Sequence, residues 1–237
     1  TYLACSRIGA VMNPLMHIFR ERELSFMLKH GESKVVIVPK LFRGFDYEEM
    51  LTALQPSLPD LTHVIVVGGA GDNSFEKLLS GPAWEREADA HAVLTQNRPE
   101  PDDVTQLIYT SGTTGEPKGV MHTANTVMSN IIPYAERLKL SEQDVVLMAS
   151  PMAHQTGFMY GLVMPIMLRQ SAVLLDVWEP LKAISLIRAE GVSFTMASTP
   201  FLTDLAKNVA ESGEVVPSLK TFLCAGAPIP GPLVEQA

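Results

Sequence analysis

The chain has 237 residues, and its 18 Lys and Arg stand against 26 Asp and Glu, which gives a formal net charge of −8 at pH 7. Hydrophobic residues make up 46% of the chain and charged residues 19%, so the composition excludes a disordered or collagen-like protein and suffices for one large or two smaller domains. The acidic balance argues against a nucleic-acid-binding face, because such a face needs clustered Lys and Arg.

Neither a secretory leader nor a membrane span is predicted. The first five residues show no basic leader and no cleavage site. The nearly apolar run 158–168 ends at Arg169, well short of the roughly 20 residues that cross a bilayer. Cys5 and Cys224 are far apart and match no metal-ligand spacing. Two isolated thiols are typical of a reducing compartment, so we expect a cytoplasmic location.

Short β-rich runs alternate with amphipathic stretches along the chain. A helix is predicted over 20–30, where it ends at Gly31, and another follows a capping box formed by Asp46 and Glu49. Further helices are predicted over 180–190, ending at Gly191, from the Thr199-Pro200 pair to Gly213, and after Pro232. Strands are predicted over 34–38, 63–67, 106–110, 119–122, 145–149, 171–175, 193–197 and 221–225.

This alternation predicts an α/β fold with two doubly wound, mostly parallel sheet lobes. Several strand runs are almost wholly apolar, as in strands that are covered on both faces. The polar, proline-bearing stretch 96–103 is the best linker candidate. We therefore predict a first lobe over 1–100 and a second lobe over 101–237.

One loop differs in composition from the rest of the chain. Between two predicted strands it reads Thr110-Ser111-Gly112-Thr113-Thr114-Gly115-Glu116-Pro117-Lys118-Gly119. Glycines let the backbone turn its N–H groups inward, hydroxyls add donors, and the lysine adds a mobile positive charge, which together suit a polyphosphate. The loop is not a Walker A loop, because that pattern needs glycine directly before the lysine and a proline stands there. A polar hairpin turn is the alternative interpretation of a loop rich in Ser, Thr and Gly.

Three segments of the chain resemble the acyl-adenylate-forming superfamily, which includes acyl-CoA synthetases, aryl-CoA ligases, adenylation domains and firefly luciferase. The stretch 109–120 is similar to that family's phosphate-binding signature, 151–158 to its second motif, and 224–229 to its Gly-Gly-Ala-Pro-type segment. The closest resemblance is to the short- and medium-chain acyl-CoA synthetases or cyclohexanecarboxylate-CoA ligases of fatty acid metabolism. The family pattern continues beyond residue 237, so the chain looks like a truncated N-terminal domain that lacks the C-terminal domain with the catalytic lysine.

The resemblance implies a two-step, AMP-forming acid–thiol ligase that uses ATP, Mg²⁺ and coenzyme A. A carboxylate would attack the α-phosphate of ATP to give acyl-AMP and pyrophosphate, and the CoA thiol would then displace AMP. It implies catalytic roles for His154, at the carboxylate, and Lys118, at the departing pyrophosphate. The residues that would contact ATP are Thr110, Ser111, Gly112, Thr113, Thr114, Gly115, Lys118, Gly226, Ala227 and Pro228, and those that would line the acid site are His154, Thr156, Gly157 and Phe158.

Several alternatives stay open at this level. His154 could be a hydrogen-bonded turn residue, and the methionines around the second motif are more often core than substrate pocket. The family's magnesium carboxylate and ribose aspartate fall outside the chain, so no metal ligand is assigned here and these 237 residues alone are expected to be inactive. The acceptor could instead be a carrier-protein thiol, or the chain could be a non-catalytic ATP-binding module or a structural lobe. The sequence leaves open which acid is used and whether the protein forms a homo-oligomer.

Overall fold

Strands and helices alternate along the chain in the computed structural model, which describes residues 1–81, 83, 86, 89–110 and 116–237. They form two compact units, Thr1–Ala124 and Asn125–Ala237. The predicted α/β class with parallel sheets is confirmed. Along the sequence, the boundary between these units falls between Ala124 and Asn125. The lobes were predicted over 1–100 and 101–237, and that assignment stays a prediction.

The described residues of the first unit form six strands in three pairs. Strand β1 (Val35–Pro39) runs parallel to β4 (His63–Val67), whereas β2 (Leu41–Phe42) with β3 (Phe45–Asp46) and β5 (Val104–Thr110) with β6 (Lys118–Thr123) form antiparallel pairs. The helices are Tyr2–Arg7, Glu21–His30, Tyr47–Leu54, Phe75–Ser80 and Ala90–Gln96, and a 3₁₀ turn spans Gln55–Ser57.

The core of the first unit lies where the helix Tyr47–Leu54 packs on β1 and β4. Its centre is formed by Leu51 and Val66, both fully buried. The helix begins where predicted, because the Asp46 carboxylate accepts the Glu49 backbone N–H at 2.9 Å. One local capping bond thus sets the start of the helix that closes this core.

The second unit is built around one four-stranded parallel sheet. Its strands are β7 (Val145–Met148), β8 (Ser171–Leu174), β9 (Phe194–Ala197) and β10 (Thr221–Cys224), in the order β10-β9-β7-β8. The helices are Ala124–Leu138, Gln155–Phe158, Met164–Leu168, Pro180–Glu190, Thr199–Ser212 and Gly231–Gln236. The fully buried Val146, Ile187 and Phe194 lie in its core.

The strand order of the second unit creates a topological switch point. The chain leaves β7 towards β8 on one side and leaves β9 towards β10 on the other, although β7 and β9 are neighbours. Helices of right-handed crossovers therefore fall on opposite faces, and in open α/β sheets the carboxyl ends of the strands at such a point are where ligands generally bind. The loops after β7 and β9 begin at these carboxyl ends.

The helical segment that follows β7 is not one continuous α-helix. The helices Gln155–Phe158 and Met164–Leu168 are joined by a π-helical turn, Met159–Val163. Such turns widen the backbone by one residue and are frequent at functional sites. In the part of the chain that the structure describes, no helix combines the length and apolarity needed to cross a bilayer.

Candidate active site

The β5–β6 hairpin carries the segment predicted to bind phosphate. Thr110 ends β5 and pairs in register with Lys118, which begins β6, and the Thr110 hydroxyl lies 3.5 Å from the Lys118 carbonyl. The two ends of the loop are therefore adjacent. The predicted cradle residues Ser111, Gly112, Thr113, Thr114 and Gly115 lie outside the described residues, so their role stays a prediction.

Tyr109 anchors the end of β5 to the helix Glu21–His30. Its hydroxyl donates to the Met27 carbonyl at 3.2 Å and lies 2.8 Å from Nδ1 of His30. Both contacts are satisfied when Nδ1 carries the ring proton and donates it to the tyrosine oxygen. Partial burial raises the pKa of Tyr109, so the phenol stays protonated at neutral pH. The sequence contained no signal for His30, because it is 79 residues away from Tyr109.

Gly119, which follows the lysine of the motif, lies against side chains of the neighbouring strand β5. A Cβ there would lie 2.9 Å from Cδ1 of Leu107 and 3.5 Å from the Tyr109 ring. The cross-strand Tyr109 ring thus covers the glycine backbone next to Lys118. Lys118 itself is exposed, and no carboxylate of the described residues forms an ion pair with it. Its ammonium group is available to an anion.

In the second unit, His154 lies in the loop at the carboxyl end of β7. It caps the helix Gln155–Phe158, and its Nδ1 accepts the Thr156 backbone N–H at 3.2 Å. That bond places the proton of the neutral ring on Nε2. Its side chain is exposed, whereas Thr156 is half-buried. The imidazole is thus both a turn residue and a solvent-facing group, so the two interpretations of His154 are compatible.

Gly157 and Phe158 serve the packing of this loop. Gly157 is buried, and a Cβ there would lie 2.6 Å from the Ser150 carbonyl oxygen and clash with the Pro151 carbonyl. The Phe158 side chain is fully buried, and its predicted contact with the acid stays a prediction. Gly161, in the π turn, faces Met148, where a Cβ would lie 2.9 Å from the Met148 Cβ.

Gln155 is a polar residue of this segment that was not among the predicted site residues. Both polar atoms of its side-chain amide are buried, and neither has a hydrogen-bond partner among the described residues. Buried amides are normally paired, and those of Asn13 and Gln106 likewise have no partner among the described residues. The place of Gln155 between His154 and Thr156 in the motif was the available signal.

The segment Gly226-Ala227-Pro228 lies exposed beyond the end of β10. Gly226 has φ +87°, a left-handed conformation that favours glycine. The hydroxyl of Thr199, which begins the helix after β9, lies 3.1 Å from the Pro228 carbonyl and 3.4 Å from that of Ala227. The segments that contain His154 and Gly226 thus follow two strands of one parallel sheet, β7 and β10, and both begin at the carboxyl end of that sheet.

Metal ligands are not grouped in the described residues. In 1–81, 83, 86, 89–110 and 116–237, no three or more His, Cys, Asp or Glu side chains come together in a way that could hold a metal ion. Of the predicted residues that the structure describes, Thr110 and Lys118 belong to the first unit, and His154, Thr156, Gly157, Phe158, Gly226, Ala227 and Pro228 to the second.

Comparisons with known proteins agree with this arrangement. A family model described as AMP-binding enzyme matches residues 1–237. The medium-chain fatty-acid–CoA ligase of Escherichia coli K12 is 33% identical over 235 residues, which are 99% of this chain and 41% of that protein. Benzoate–CoA ligase of Thauera aromatica is 30% identical over 179 residues, 74% of this chain and 31% of that protein.

Solved structures show the same fold. The inhibitor-bound N-terminal domain of FACL13 from Mycobacterium tuberculosis aligns with a TM-score of 0.80 at 25% identity, covering 99% of this chain and 55% of that one. ATP-bound MatB from Rhodopseudomonas palustris aligns with a TM-score of 0.76 at 21% identity, covering 99% and 43%. The chain therefore spans about half the length of the proteins it matches, or less.

Proposed function

We propose, from the premise that this chain belongs to the AMP-binding enzyme family, that the full-length gene product is an acid–CoA ligase. It would join a carboxylic acid to the α-phosphate of ATP, release pyrophosphate, and then pass the acyl group from AMP to the thiol of CoA. The observation that carries the proposal is the β5–β6 hairpin, in which Thr110 and Lys118 flank the phosphate-binding signature from adjacent strand ends.

The roles of the chain's own residues follow from their chemistry. In the first step both reactants are anionic, so the protein has to position them and stabilise developing negative charge. Lys118 would neutralise the departing pyrophosphate, because its ammonium group is exposed and has no ion pair with a described carboxylate. Backbone and hydroxyl groups of 110–115 would hold the β- and γ-phosphates.

The second unit would bind the remaining groups. His154 would border the acid's carboxylate. Because its Nδ1 accepts the capping bond from Thr156, its Nε2 would be the donor to the carboxylate. The exposed backbone of 226–228 would flank the adenine through backbone contacts. The described residues offer no carboxylate cluster for Mg²⁺, so in this proposal the ion comes with ATP and no described residue of this chain is assigned to it.

The substrate class of the proposal is a medium-chain fatty acid. Its support is the 33% identity to a protein named medium-chain fatty-acid–CoA ligase, against 30% over a shorter stretch for a benzoate–CoA ligase. An apolar acid also suits the methionine-rich surroundings of the second motif, since flexible thioethers adapt to chains of different length. A cytoplasmic location is part of the same proposal.

The test is acid-dependent exchange of pyrophosphate into ATP by the full-length gene product, run on a panel of fatty and aromatic acids. We expect exchange with C6 to C12 acids and formation of the CoA thioester when CoA is added. Exchange without thioester formation would favour a carrier-protein thiol as acceptor. Binding of ATP in calorimetry without any exchange would refute the ligase proposal and favour a non-catalytic ATP-binding module.

A further inference from the structure

We propose that the Thr199 hydroxyl is a positioning residue that fixes the segment 226–228 for nucleotide binding. This inference rests on the proposed function, since it assigns that segment to the adenine of ATP. Oγ1 of Thr199 lies 3.1 Å from the Pro228 carbonyl oxygen, 3.4 Å from that of Ala227 and 3.6 Å from Sγ of Cys224. Its single proton goes to a carbonyl, and Pro228 is the nearer one.

The contact bridges two chain segments that have just left neighbouring strands. β9 and β10 run parallel, and the Ala225 N–H still donates to the Ala197 carbonyl at 3.2 Å. Beyond that bond the segment after β9 enters the helix at Thr199. The segment after β10 turns sharply at Gly226, whose φ is +87°. The sheet therefore no longer aligns the two segments, and the Thr199 side chain reaches across the gap.

The composition of the segment makes a side-chain anchor important. Pro228, Pro230 and Pro232 have no backbone N–H, so at these three positions the backbone can be held only through its carbonyls. Proline also restricts φ, so a bond to the Pro228 carbonyl limits the orientation of the residues on either side. Residues 226–232 are exposed, whereas Thr199 is only 9% exposed. A buried hydroxyl donor thus holds an exposed, proline-containing turn.

A matched control is available in β9, four positions before Thr199. Thr195 is also buried, and its hydroxyl donates to the Leu147 carbonyl at 2.8 Å, within the sheet and not at its edge. Thr195→Val therefore makes the same chemical change as Thr199→Val and loses a comparable hydrogen bond. It leaves the segment 226–228 untouched.

The experiment measures pyrophosphate exchange with octanoate, and ATP binding by calorimetry, for the full-length wild type and for Thr199→Val, Thr199→Ala, Thr199→Ser and Thr195→Val. We expect Thr199→Val and Thr199→Ala to raise the KM and the Kd for ATP about three- to tenfold, with kcat changed less than about twofold, which is the scale of one lost hydrogen bond. Thr199→Ser, which keeps the hydroxyl, should stay within about twofold of the wild type, and so should Thr195→Val.

Each outcome bears on the inference separately from the proposed function. An unchanged ATP KM in both Thr199 removal variants, or an equal rise in Thr195→Val, would overturn the positioning role while leaving the ligase proposal intact. A wild type that binds ATP but shows no exchange would refute the ligase proposal. The ratio of the Kd for ATP of the Thr199 variants to that of the wild type would then still decide the role of Thr199. A wild type that does neither would overturn both. Thermal melting of every variant identifies one that fails to fold, and the second removal variant then decides the result.

Discussion

Replacing Gly157 by alanine tests whether the loop after β7 is built on a close backbone approach. Gly157 is buried, and a Cβ would stand 2.6 Å from the Ser150 carbonyl oxygen, about 0.8 Å short of the 3.4 Å at which ordinary contacts begin. The Pro151 carbonyl blocks the same space. Because the obstacles are backbone atoms, they cannot rotate away as a flexible side chain could.

The size of the effect follows from that geometry. Relief requires the segment 150–151 to move, and forcing an extra methyl into a closed site costs about 3 kcal/mol. In a domain of this size such a loss lowers the melting temperature by about 6–12 °C. Since the moving segment precedes His154, the KM for the acid should rise as well, by about tenfold, if the loop binds the carboxylate.

The assay compares Gly157→Ala with Gly231→Ala in the full-length gene product, by thermal unfolding and by pyrophosphate exchange. Gly231 begins the last helix, and a Cβ there meets nothing within 4 Å, so its alanine variant should match the wild type within about 2 °C. A Gly157→Ala variant as stable as Gly231→Ala would refute the close-approach argument. A destabilised variant with an unchanged KM for the acid would refute the link to the substrate.

Three further predictions concern charge and polar burial. Lys118→Ala should lower exchange about ten- to a thousandfold, the scale for losing a preorganised charge, whereas Lys207→Ala, on an exposed helix face, should not; equal rates would remove Lys118 from the mechanism. Burial acts to raise the pKa of Asp144, but hydrogen bonds from Ser141 and Ser193 outweigh it and lower the pKa. The Asp144 carboxylate therefore stabilises the fold above its unfolded pKa of about 3.9, and this stabilisation is lost as the pH falls through its lower pKa in the folded state. Ser193→Ala removes a 2.8 Å bond to that carboxylate, so its loss of melting temperature should be larger at pH 7 than at pH 3, and an equal loss at both would contradict this account. Gln155→Leu should raise the melting temperature without substrate, because an unpaired buried amide disappears, and should weaken binding of the acid; a lower melting temperature would show that the amide is already paired.

The local signals of the sequence predicted several elements of this fold, although no helix was predicted over Ala124–Leu138. The run His63–Val67 is β4 with the predicted bounds, and the helix Pro180–Glu190 was likewise predicted to the residue. Gly191 and Gly213 end their helices with φ of 64° and 68°, as the glycine signal indicated. These features depend on neighbours within a few residues, so the sequence alone contains the information. The same holds for the phosphate signature at 109–120, which is recognisable as a continuous stretch.

The sequence by itself thus determined the fold class, several of the helices and strands, and the candidate site residues. The tertiary structure alone decided the strand order β10-β9-β7-β8, the π turn after His154, and the anchors His30 and Thr199. The physical reason is that these features depend on pairings between distant segments: 79 residues separate His30 from Tyr109, and 29 separate Thr199 from Pro228. The 237 residues and the charge of −8 excluded classes of protein. Only the folded chain shows that the Thr199 hydroxyl and the His30 imidazole contact the segments that the motifs identify.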